Sequence, residues 1–135
     1  MWMVLAAILA SGILGSFTDW LFMGVLFHDA YNIYPEVWRP GIREGTNKGA
    51  IIWASVLGFV VSAGVVALCA VAGVGGIWSG LGVALLAWIA GPPVVIIVNN
   101  MFVKIDAKIT VAHCLGYLAR MLIAGAAAGI VLPLS

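Results

Sequence analysis

The stretch ITVAHCLGYLARMLIAGAAAGIVL, Ile109 to Leu132, is apolar throughout except for a few polar residues and one fixed charge, Arg120, near its middle. A helix rises 1.5 Å per residue and a bilayer's hydrocarbon layer is about 30 Å thick, so this run is long enough to cross it. A lone guanidinium at mid-depth costs a few kcal/mol even on lenient insertion scales. Arg120 is therefore expected to face protein or water and to have a partner. The only carboxylate inside another apolar run is Asp19.

Three further runs are long enough to span: residues 2–27, 49–72 and 77–98, beside 109–132. Backbone amides and carbonyls in hydrocarbon must be satisfied within their own segment, so each run is expected to be a helix. The expected fold is all-α, a single antiparallel four-helix transmembrane bundle covering residues 1–135. Composition agrees. With 64% hydrophobic and 8% charged residues and a mean hydropathy of +1.20, the chain is an integral membrane protein rather than a soluble domain. A net charge of +1 gives no basic field for nucleic acid. Cys69 and Cys114 both fall in apolar runs, where buried thiols are ordinary packing residues.

The lysines and arginines of the connections lie in the first (Arg39, Arg43, Lys48) and the third (Lys104, Lys108), which share one side of a four-span chain. The positive-inside tendency makes that side cytoplasmic and puts both termini outside, in a bacterial inner membrane. The first connection, residues 28–48, interleaves aromatics with polar groups. Tyr31, Tyr34 and Trp38 recur at helical spacing, as an interfacial anchor would, and Pro35 interrupts that helix or begins a new one.

Counted from the cytoplasmic ends of their spans, Asp19 and Arg120 both lie about 15 Å deep. His113, Tyr117 and Arg120 follow at i, i+4, i+7 and form one polar stripe; Gly12, Gly15, Ser16, Asp19 and Met23 form a narrow small and polar face on span one. These two faces are expected to meet. Gly91-Pro92-Pro93 interrupts span three, since each proline lacks an amide hydrogen and frees a carbonyl near Trp88 or Ile89. Arg120 has donors to spare for those carbonyls. Asn99 and Asn100 are read as the end of span three. Small residues four apart, among them Gly58 with Ser62, Gly76 with Gly80 and Gly125 with Gly129, predict close helix packing.

His28, Asp29 and His113 lack ligand spacing, so no metal site and no cofactor are expected. Ser55 and Ser62 lie in an apolar helix without a nucleophile elbow, and no enzyme activity is expected. The polar centre formed by Asp19, Arg120, Tyr117, His113, Pro92 and Pro93 is the candidate site. Intramembrane ionisable residues mark pathways, although a buried pair can also serve only to fix helix register.

The stretch Gly15–Tyr31, with Trp20 and Gly24-Val25-Leu26-Phe27, resembles the span-one ending of a bacterial group of small four-span membrane proteins catalogued only as a domain of unknown function. Trp88-Ile89-Ala90-Gly91-Pro92, Asn99, Phe102, His113, Gly116, Tyr117 and the Gly125/Gly129 ending resemble that group's third and fourth spans. The pattern departs at Gly24, where the group leads one to expect proline. The resemblance implies the four-span fold over nearly the whole chain and no particular activity. The expected function is a small-solute or proton pathway, which with only four spans favours a homo-oligomer. The alternative is an accessory or scaffold subunit of a larger membrane complex. The two differ in whether water reaches Asp19.

Overall fold

The computed structural model describes residues 1–134. Its helices are α1 (Trp2–Asp19), α2 (Lys48–Val71), α3 (Ile77–Ala90), α4 (Pro92–Phe102) and α5 (Ala107–Val131). A π-helical segment, Trp20–Leu26, continues α1. Four helical stretches are long and apolar enough to cross a membrane: Trp2–Leu26, Lys48–Val71, Ile77–Phe102 and Ala107–Leu134. The protein is an all-α, antiparallel four-helix membrane bundle.

Burial is inverted relative to a soluble bundle. Trp2, Ile52, Trp53, Trp78, Leu86, Met101 and Phe102 point outward, while Ser11, Ser62, Arg120 and small residues fill the interior. Lipid tails are as apolar as leucine, so the helices gain by packing closely rather than by hiding apolar surface. α5 is the centre: 39% of its apolar window is buried, against 6% for the α3–α4 span. A Cβ on Gly125 would lie 2.7 Å from Ala84 Cβ, and one on Gly129 would lie 2.7 Å from the Gly76 carbonyl carbon. The expected small-residue contacts thus form between α3 and α5, backbone against backbone. Cys69 is fully buried beside this seam, and neither Cys69 nor Cys114 forms a disulfide.

Three expectations change. Span three does not end at the asparagines: α4 runs to Phe102, Asn99's carbonyl accepts from Val103 N at 2.9 Å, and the Asn100 amide bonds the Thr110 hydroxyl of α5. A polar residue in a last helical turn looks like a terminator in sequence. Tyr31, Tyr34 and Trp38 do not share a helical face. His28–Asn32 and Pro35–Val37 are separate 3₁₀ turns, the second begun by proline. Tyr31 folds inward against Trp38, with ring centroids 4.7 Å apart, while Tyr34 lies under Lys104 Nζ at 4.4 Å. Finally, Arg120 does not serve the break in span three. Trp88's carbonyl accepts from Gly91 N at 3.2 Å, and its indole donates to the Cys114 carbonyl at 3.0 Å, tying α3 to α5.

The rest of the first connection is held by two positive-φ glycines. Gly41 and Gly45 have φ of 80° and 65°, which glycine adopts without steric cost. Gly41's carbonyl accepts from Thr46 N and Asn47 N, and the Asn47 side chain caps α2 at Ala50 N, 3.0 Å away. Ala30, Tyr31 and Ile109 form a small core with Trp38, Ile42 and Ile105. The connection is thereby folded onto the end of α5.

Candidate functional site

Arg120 is 1% exposed and its Nη2 donates to Asp19 Oδ2 in an ion pair between α5 and α1. The depth match read from sequence corresponds to this contact. The room for the guanidinium is made by absent side chains. A Cβ on Gly15 would fall 2.9 Å from Arg120 Cγ, and one on Gly58 would fall 2.6 Å from Nη2. Gly15 on α1 and Gly58 on α2 therefore leave the space that the guanidinium fills. Gly116, one turn before Arg120, does the same for the carboxylate, since its Cβ would meet Asp19 Oδ1 at 3.2 Å. Arg120 Nη1 and Ser62 Oγ are enclosed and have no hydrogen-bond partner.

The two partners differ in access. The Arg120 side chain is 2% exposed and that of Asp19 is 28% exposed. Asp19 faces a cavity of about 780 Å³ that extends to the first connection and is walled by α1, the π segment, α2 and α5. The helix widens at the carboxylate: the π segment starts at Trp20, the residue after Asp19, and ends with Phe27 N donating to Phe22 O at 3.0 Å. Such turns recur at functional sites because they interrupt the regular ladder. Within it Gly24 leaves space for the Trp20 ring, whose Cδ1 would lie 3.1 Å from a Cβ there.

His113 also lines this cavity and is 3.3 Å from the Tyr31 hydroxyl. Burial raises the Tyr31 pKa above its ordinary value, so the hydroxyl stays protonated. A smaller space of about 260 Å³, between α4 and α5, lies on the other side of Trp38 and His113, which line both. Trp38 Nε1 is enclosed without a partner.

Of the six residues singled out in the sequence, Asp19, Arg120 and His113 converge on the cavity. Tyr117, Pro92 and Pro93 are not in its lining. Pro92 and Pro93 instead start α4, where a missing amide hydrogen costs no helical bond. The sequence reading missed Tyr31 as an inward group and Gly15 and Gly58 as the space for the guanidinium. The small and polar face of span one that includes Gly15, and the spacing of Gly58 with Ser62, carried a signal for the last two. Among the described residues no group of three or more His, Cys, Asp or Glu is placed to hold a metal ion. Comparisons with protein-family models, with curated proteins and with solved structures find no match to this chain.

Proposed function

We propose that this chain forms a small-solute or proton pathway, entered from the end that carries the first and third connections and closed at the Asp19–Arg120 pair. One observation carries the reading: Asp19 is more than a quarter exposed and faces a large cavity, while its partner is sealed. An accessory subunit would have no use for an open cavity leading to a buried charge.

The entry side is the cytoplasmic one and both termini lie outside, in a bacterial inner membrane. Support comes from the basic residues of connections one and three, which meet where Lys104 Nζ lies 3.4 Å from Glu36 Oε1. The outward apolar faces of α2 and α4 suit a homo-oligomer within the bilayer.

The test is labelling of single cysteines in a variant lacking Cys69 and Cys114. Ser16→Cys in the cavity and Gly45→Cys at its mouth should react with an impermeant thiol reagent in inside-out vesicles and not in intact cells. Gly75→Cys, in the turn between α2 and α3, should show the reverse. An inert Ser16→Cys on both sides would remove the access on which the pathway depends.

A further inference from the structure

We propose that the cavity beneath the first connection binds an organic monocarboxylate with an apolar body, its carboxylate at Arg39 and its body between α1 and α2. This rests on the reading of the cavity as the open end of a pathway, and it names what enters. Sites for small organic ligands run from about 300 to 1,000 Å³ and are mostly apolar with a few placed polar groups. A space of about 780 Å³ falls in that class and is far larger than proton transfer needs.

The lining has two ends of different character. Trp20, Met23, Ile51 and Ala54 form apolar walls in the membrane, while Arg39 and His28 stand at the mouth. The charges of the lining are Asp19, Arg39 and Arg120. Asp19 is taken by Arg120, and Arg39 belongs to neither ion pair seen among the described residues. The fixed charges of the lining therefore leave one uncompensated positive charge. A ligand that carries one negative charge complements this lining, and an ammonium would not. A planar carboxylate also matches the two-pronged geometry of a guanidinium.

The order of character fixes the orientation. The head stays at the mouth, where water remains, and the apolar body points toward Trp20 and Ala54. The intact Asp19–Arg120 pair forms the floor.

Titration calorimetry on the full chain in discs of zwitterionic lipid tests this with three probes of one shape: phenylpropionate, phenylpropanol and phenylpropylamine. The carboxylate should bind tightest and the amine weakest. Arg39→Gln should weaken the carboxylate about tenfold or more, as loss of a charge-assisted bond does, and leave the alcohol unchanged. Arg39→Lys should recover part of the loss. Ala54→Trp, which fills the cavity from its open wall, should abolish binding of all three while the protein stays monodisperse. Equal affinities, or tightest binding of the amine, would overturn the proposal. So would loss of carboxylate binding in discs that contain phosphatidylglycerol, if that lipid also survives purification on the protein: the cavity would then hold a lipid phosphate. Carboxylate binding without flux in proteoliposomes would remove the pathway and keep the site. Flux without discrimination among the probes would do the opposite.

Discussion

Neutralising Asp19 should be the more damaging way to break the central ion pair. Asp19→Asn leaves a guanidinium that is 1% exposed and already has one unpartnered nitrogen. Removing one partner of a buried pair typically costs about 3–5 kcal/mol, because the remaining charge is uncompensated. Arg120→Gln leaves a carboxylate with 28% of its side chain exposed to the cavity, where water can take over the lost bond. Its cost should fall nearer the roughly 1–3 kcal/mol of an unsatisfied polar group. The double variant, with two neutral amides in reach of each other, should recover much of both losses. Unfolding in mixed micelles, followed by helical circular dichroism, measures all four corners of the cycle. Equal costs for the two single variants would refute the difference in access. A coupling below roughly 0.5 kcal/mol would mean that the pair does not act as one unit.

Gly58→Ala places a Cβ 2.6 Å from Arg120 Nη2 and should destabilise the bundle by about 1–3 kcal/mol, as overpacking does. The same substitution at Gly64, where a Cβ would meet nothing within 4 Å, should cost little in a parallel melt. Tyr31 should titrate above the ordinary tyrosine value of 10.0, since burial favours its neutral form. Its contribution to stability is then full below that value and is lost as pH rises through the raised one. Tyrosinate absorbance should show a step above that value which Tyr31→Phe removes; an unchanged titration in Tyr31→Phe above that value would contradict the burial.

What the sequence revealed follows from how strongly the membrane constrains a chain. Bilayer thickness fixes span length, so the four helices could be read from hydropathy, and a constant rise per residue matched Asp19 to Arg120 before any contact was known. The Gly125/Gly129 seam was visible because close approach in lipid needs small residues. The first connection was not legible. Tyr31, Tyr34 and Trp38 sit at helical spacing, but Pro35 and two 3₁₀ turns send their rings to different neighbours, and nothing local encodes the reach of Tyr31 to His113. The π segment after Asp19 left no mark in composition either. Its residues, WLFMGVL, suit an ordinary apolar helix equally well. Trp88 illustrates the remaining gap: the proline break announced freed carbonyls, yet the indole found its acceptor on α5, at a position no spacing rule relates to it.

The packing also says which parts can yield if a solute is to pass. On the far side of the ion pair the interior is tight: Ser11, Ser62, Cys69 and Ala84 are fully buried, and a Cβ on Gly12 would strike the Phe59 ring. α3 is locked to α5 by Gly76, Gly80, Gly125 and Gly129, where backbones touch and a rotation would drive them together. α4 has no glycine seam and is tied to α5 by the Asn100–Thr110 hydrogen bond at its far end. None of its residues is buried, and Gly91 with Pro92 separates its backbone ladder from that of α3. The first connection is likewise held to α5 by a small core and the Tyr31–His113 contact alone on its inner side. Opening would therefore move α4 and the first connection against a fixed unit of α3 and α5, and the sealed half would part only where Arg120 lies between Gly15 and Gly58.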